Sequence, residues 1–371
     1  MTPFWKWLAA STACAGVAYS GLVLASGAAL PWRPAHFDTQ LVNTTQRGWV
    51  SEARYYVLNR DVLAEPGDRV VILGASTARD PFRPERMEAS LPGWQVANAA
   101  LSGAAISEIG DAVDLYYQAR TPGSGRTVFV FALTYLQFLP ARFPEGADNP
   151  LATEALRAGQ YARENGTLEP QGPEAMRDAA NAVMRPQAVA ASLPRRIFKI
   201  VFANPDLPMI KSAVDRFRGD DPLSRWTEHI GEQKNLDAIS VPPEVQQALL
   251  AQRLAGAGGD RPLPPGEFRR LAALLEMIRA RGDAAVIVDL PLPHWHRNGV
   301  PVADGSYQTG LRALLAAYAA DPAIGFISLR AFDDDENFFD SGHTEPRLWP
   351  VLSDRLARDL AASSVLRARA R

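Results

Sequence analysis

The chain has 371 residues, 47% hydrophobic and 22% charged, the proportions of a globular protein with enough apolar material for a sizeable core. A net charge of −2 leaves no basic excess, so nucleic acid is not an expected partner. The single cysteine, Cys14, excludes an intramolecular disulfide and a cysteine-based metal centre.

The run from Leu8 to Leu30 carries no charge and lies between Lys6 and Arg33. About 20 apolar residues cross a bilayer as a helix, so residues 1–32 are expected to form an N-terminal membrane anchor. Phe4, Trp5 and Trp7 suit one interfacial belt, and Trp32 the other. Two alternatives stand beside the anchor. One is a signal peptide cleaved near the small residues Ala25-Ser26-Gly27-Ala28. The other is a lipoprotein site at Cys14, which Ser11-Thr12-Ala13 matches poorly. In every version the rest of the chain is exported. The expected location is the inner membrane, single-pass, with the following domain in the periplasm or extracytoplasmic space.

Residues 33–66 read as a connecting region, partly helical around Ser51 to Leu63. The turn Pro66-Gly67-Asp68 opens a buried strand over Val70–Leu73. A weaker strand follows at Trp94–Ala97, then a helix marked by Ile106, Ile109, Val113 and Tyr116, then an apolar strand over Thr127–Leu133. Further on, Phe268, Leu271, Leu275 and Ile278 mark a helix that Pro264-Pro265 precede and Gly282 closes. A strand is expected over Ala284–Leu290, a helix over Leu311–Ala320 stopped by Asp321-Pro322, and a short strand over Phe326–Leu329. Leu348, Leu352, Leu356 and Leu360 stripe a final helix.

This alternation predicts an α/β fold, a three-layer sandwich around a mostly parallel sheet of about five strands. Residues 67–140 and 263–371 form its two halves, and residues 141–262, rich in Pro, Ala, Arg and Asp, read as an insertion or cap. Within it Arg195, Arg196, Lys199, Lys211, Arg216 and Arg218 alternate with apolar residues, which suits a solvated helix face or a membrane-surface contact.

Three short stretches could carry chemistry. Gly74-Ala75-Ser76-Thr77 directly follows the first strand, and ligands of open parallel sheets bind beyond the carboxyl ends of the strands. An N-cap serine is the plainer alternative. Asp340-Ser341-Gly342-His343 precedes the last helix, with a spacing that lets the carboxylate accept the imidazole N–H and fix its tautomer. A polar capping loop is the alternative here. Asn98-Ala99-Ala100-Leu101-Ser102-Gly103 follows the second strand, where a glycine N–H can reach a substrate oxyanion, or simply turn the chain.

In their order and placement these stretches resemble the blocks of the SGNH (GDSL-like) hydrolase superfamily. Gly74-Ala75-Ser76 matches the first block with alanine in place of the usual aspartate, Gly103 the second-block glycine, and Asp340 with His343 the last block. The likeness covers about residues 68–140 and 263–365. It implies the flavodoxin-like SGNH fold, a Ser76–His343–Asp340 triad, and an oxyanion hole from the N–H groups of Ser76 and Gly103. The family's Gly-x-Asn after the third strand has no counterpart in Ala132-Leu133-Thr134-Tyr135, so Thr134 stands where that donor is expected. The loss of such a donor costs about 10²–10³ in rate.

The whole layout is similar to a membrane-anchored, extracytoplasmic subset of the superfamily that includes proteins of alginate O-acetylation and teichoic-acid D-alanylation. That likeness implies an acyl group, expected to be acetyl, passed through acyl-Ser76 to a surface or exported polysaccharide beside a multi-pass membrane-bound O-acyltransferase. A carbohydrate esterase or deacetylase with the same triad is the first alternative. A non-catalytic partner in a polysaccharide export or modification complex, or a glycan-binding module, is the second. Pro291-Leu292-Pro293-His294-Trp295-His296 also follows a strand, and His294, Trp295 and His296 are expected to line the substrate site or to pack structurally. Two histidines without a third ligand make no metal centre, so neither metal nor cofactor is expected.

Overall fold

The computed structural model describes residues 3–29, 33–40, 50–139, 148–157, 159–164, 167–202, 223 and 240–367. Seven strands are described: β1 (Arg69–Gly74), β2 (Gln95–Asn98), β3 (Thr127–Leu133), β4 (Tyr161–Glu164), β5 (Thr167–Pro170), β6 (Ala284–Asp289) and β7 (Ile324–Ser328). Five of them form one sheet in the order β2-β1-β3-β6-β7, and every neighbouring pair is parallel. β4 and β5 pair as a separate antiparallel hairpin that the sequence did not announce.

The central strands are apolar except at their ends, where Arg69, Thr127 and Asp289 stand, because both of their faces are covered. All residues of β1, β3 and β6 are buried. Alternate residues feed two cores. Val71, Leu73, Phe129, Phe131 and Ile287 enter one layer, beneath the helices Ile106–Ala119, Pro265–Ala280 and Pro301–Ala317. Val70, Ile72, Val128, Val130, Val286 and Val288 enter the other, beneath the helix Trp349–Ala362. This is a three-layer α/β architecture. The helix Pro301–Ala317 begins ten residues before the stretch expected from Leu311, with Pro301 in its first turn.

Residues 37–40 run along the outer edge of β2: Asn98 N–H donates to Phe37 O at 2.9 Å, and Thr39 N–H to Asn98 O at 2.9 Å. Within the stretch expected to be an insertion lie the helix Pro150–Arg157, the β4–β5 hairpin, and the helices Glu174–Phe202 and Pro243–Ala257. Arg195, Arg196 and Lys199 fall in the helix Glu174–Phe202, where the backbone alone is described at these positions; Lys211, Arg216 and Arg218 lie outside the described residues.

One N-terminal helix, Phe4–Ala29, is long and apolar enough to cross a membrane, with 26 residues and a mean hydropathy of 1.6 over its best window. At 1.5 Å rise per residue such a helix exceeds the roughly 30 Å hydrocarbon core. Tyr19 Oη donates to the Ala190 carbonyl at 2.6 Å. Pro194 has no N–H for that carbonyl, four residues earlier in the same helix, so the tyrosine satisfies an acceptor the proline leaves open.

Candidate active site

The strand order reverses between β1 and β3, because the chain adds β2 on one side of β1 and then β3 on the other. That reversal opens a crevice at the carboxyl ends of the strands, the place where open α/β sheets hold ligands. Ser76 stands there, first residue of the short helix Ser76–Arg79 that follows β1. Gly74 makes the turn possible. Its φ is +155°, and a Cβ there would strike the Ala132 carbonyl oxygen and lie 2.8 Å from Ala78 Cβ.

The structure brings Ser76, His343 and Asp340 together across 267 positions of chain. His343 Nε2 lies 2.7 Å from Ser76 Oγ. Its Nδ1 lies 2.7 Å from Asp340 Oδ2. The carboxylate's other oxygen, Oδ1, accepts the backbone N–H groups of Gly342 at 2.8 Å and His343 at 2.7 Å. The aspartate is thus fixed by the loop it sits on, and its ring partner is held with Nδ1 protonated and Nε2 free to accept from the serine. Phe339 stacks on the imidazole, with ring centroids 5.8 Å apart.

The charges follow from these contacts. Burial alone would raise the Asp340 carboxyl, but the His343 charge, its ring N–H and the two backbone donors hold it below the usual carboxylate value. Burial pulls His343 down, and Asp340 together with the charge of Asp80 more than reverses that, so its pKa is raised above 6.5.

Gly103 sits on the exposed turn after β2 with φ +72°. Neither its N–H nor that of Ser76 has a hydrogen-bond partner among the described residues. Asn98, at the end of β2, does not face a ligand. Its Nδ2 donates to Phe82 O at 2.8 Å and Arg79 O at 3.0 Å, which ties the segment after Ser76 to the sheet. Arg79 is neutralised by Glu52 and Asp80, and Glu52 Oε2 also accepts Ser102 N–H at 2.6 Å, so the Gly103 turn is braced from the connecting region.

Two expectations need correction. Thr134 does not offer a donor to an oxyanion. It caps a short 3₁₀ turn: its hydroxyl accepts Leu136 N–H at 3.2 Å and donates its only proton to Gln137 Oε1 at 3.1 Å. His296 does not line a substrate surface, because it is fully buried. Its Nδ1 faces the Ser341 carbonyl and its Nε2 lies 2.6 Å from Tyr135 Oη. Burial lowers its pKa to about 4, so it is neutral, donating through Nδ1 and accepting from the tyrosine. His296 and Tyr135 therefore pin the loop that carries Asp340 and His343. His294 is exposed, and Trp295 is half-buried and stacked on His296.

Sequence reasoning missed Tyr135, Ser341 and Arg253. The helix Pro243–Ala257 packs against Gly299, where a Cβ would displace the end of the Leu250 side chain, and it brings Arg253 Nε to 3.2 Å from Ser341 Oγ. Arg253 is the only basic residue of that helix, but nothing local in the sequence places it beside Ser341. Among the described residues no group of three or more His, Cys, Asp or Glu side chains could hold a metal.

No protein-family model matches the chain, and no curated protein matches it.

Proposed function

We propose that the chain is an SGNH-type serine acyltransferase, held in the inner membrane by its first helix with the α/β domain in the periplasm or extracytoplasmic space. The observation that carries the reading is the continuous relay Ser76 Oγ–His343–Asp340, with both links at 2.7 Å, at the topological switch point of the sheet.

Ser76 Oγ attacks the carbonyl carbon of an acyl ester as His343 Nε2 takes its proton. The N–H groups of Ser76 and Gly103 receive the developing oxyanion. Collapse of the tetrahedral species expels the leaving alkoxide, which takes the proton back from His343 and departs as an alcohol. The acyl-Ser76 ester is then attacked by a second hydroxyl, deprotonated by the same histidine. Collapse of the second tetrahedral species expels Ser76 Oγ, which takes the proton from His343 and restores the free serine; a sugar hydroxyl as attacker leaves as the new ester, and water leaves as the free acid. The membrane-spanning helix favours transfer to an exported polysaccharide, with a multi-pass O-acyltransferase as the acyl source. The esterase reading shares every residue and is decided by the acceptor. The missing third oxyanion donor, with Thr134 committed elsewhere, fits a slow hydrolase better than a fast one.

The test uses p-nitrophenyl acetate as donor and intact-protein mass spectrometry as readout. An acetyl adduct on Ser76 that disappears faster when an oligosaccharide is added, with acetylated sugar formed in step, supports transfer. An adduct lost at the same rate with and without sugar, releasing only acetate, makes the protein an esterase.

A further inference from the structure

We infer that the helix Glu174–Phe202 is a second membrane-contact element, lying in the lipid headgroup and acyl boundary on the domain side with its uncharged face against lipid; this rests on reading Phe4–Ala29 as membrane-spanning.

Depth is the first support. The two helices meet at Gly27, where a Cβ would lie 3.8 Å from Pro186 Cα, and at Tyr19, whose hydroxyl donates to the Ala190 carbonyl at 2.6 Å. Between these points stands Val23, the one buried residue of Phe4–Ala29, in the same apolar layer as Met184, Ala188, Val189 and Leu193. At 1.5 Å per residue the 26-residue helix is about 39 Å long, roughly 9 Å more than a hydrocarbon core of about 30 Å. Tyr19 lies ten residues before Ala29, or about 15 Å from the end of the helix. Even with the whole surplus projecting on the domain side, Tyr19 is about 6 Å inside the hydrocarbon, and tilt only deepens it. Ala190, bonded to the tyrosine hydroxyl, is thereby held at the boundary of that core.

The bond itself is the second support. Pro194 leaves the Ala190 carbonyl without its helical donor. In water such a carbonyl is solvated at no cost. In lipid it has no such recourse, so a tyrosine hydroxyl that closes it serves a helix seated where water is scarce.

The third support is the outer face of the helix. Met176, Ala179, Val183, Gln187, Ala191 and Pro194 follow the helical repeat and are all exposed, Met176 by 65% and Val183 by 56%. None of them is charged, whereas the outer face of a solvated helix is charged or polar. In the sequence the same repeat continues through Ile197, Phe198 and Val201, while Arg195, Arg196 and Lys199 fall off it. An apolar stripe beside a cationic one is the composition of helices that lie in the membrane interface, where the cations meet lipid phosphates. The stripe is also continuous with the spanning helix, so the bilayer that holds one is in reach of the other. The inserted stretch then fixes the domain at a second point beside the bilayer, where a single helix would let it swing.

The experiment places one nitroxide label at a time on the full-length chain, in a Cys14→Ser background that removes the native thiol. The labelled variants are Leu22→Cys, Val183→Cys, Ala191→Cys and Val351→Cys, all at exposed positions. Val351 lies on the helix Trp349–Ala362, on the other side of the sheet, and serves as the water-facing reference. The protein is reconstituted in vesicles of phosphatidylcholine and phosphatidylglycerol. Collision of each label with oxygen, which partitions into lipid, is compared with collision with a water-soluble nickel chelate. The oxygen-to-nickel ratio at Ala191 is expected to exceed that at Val351 several-fold, with Val183 between the two and Leu22 on the lipid side. A label at Ala191 that favours nickel while Leu22 favours oxygen overturns the inference and keeps the spanning helix. A label at Ala191 that neither reagent reaches also overturns it, because protein then covers that face. Labels at Leu22 and Ala191 that both favour nickel remove the spanning helix and the inference together.

Discussion

Asp340 does two jobs with its two oxygens. Oδ2 faces the ring and Oδ1 holds the loop, so its replacement by asparagine alters tautomer and charge while keeping much of the shape. In Asp340→Asn the turnover of an activated ester is expected to fall by about 10³–10⁴-fold, as when a triad loses its orienting carboxylate. The pH profile gives a second readout. His343 is raised above 6.5 chiefly by Asp340, and only the neutral ring can accept the serine proton. Activity should therefore rise with pH through a midpoint above 6.5, and that midpoint should move to lower pH in the variant. A midpoint unchanged by the substitution would show that a different group titrates. At this scale the sequence was informative about residue type and silent about burial. Ser76, Asp340 and His343 were legible because each follows a strand or precedes a helix. His296 stood open between lining the site and packing, and only the folded chain shows that Tyr135 and the Ser341 carbonyl enclose it.

The elements that hold the site were legible where burial is two-sided. β1, β3 and β6 have continuous apolar runs between polar end residues, and Thr127–Leu133 was delimited to the residue. The helix Pro301–Ala317 was half missed because its first turns present only Ala303 and Tyr307 to the core, among polar residues and glycines. Gly310 is there for space: a Cβ on it would collide with the Phe268 ring. Gly74 serves the site in the same way, since the turn into Ser76 needs both its positive φ and its missing side chain. Gly74→Ala is expected to lower stability by about 1–3 kcal/mol in urea unfolding, from strain and overpacking together. It should also weaken catalysis by displacing Ser76. Unchanged stability would mean that the turn has another low-energy form.

At the scale of the molecule, one apolar helix precedes an α/β domain whose site is closed by segments far apart in the chain. Glu52 from the connecting region braces the Gly103 turn, and Arg253 from the inserted stretch touches the triad loop. These long-range contributions carry no local signal, which is why neither was legible in the sequence. The full-length protein is expected to stay in the membrane pellet through alkaline carbonate washing, and a chain starting after Trp32 to be released. Release of the full-length protein by carbonate would contradict a spanning helix.

The most direct measurement is labelling of the purified protein with a fluorophosphonate probe, the adduct being located by mass spectrometry. Such probes react with serines whose hydroxyl is activated by a neighbouring base. Modification at Ser76 alone, abolished in Ser76→Ala and in His343→Ala, is the expected result. An unlabelled Ser76 in a folded protein, under conditions where a control serine hydrolase reacts fully, would contradict the central claim and leave a triad-shaped arrangement without catalytic function.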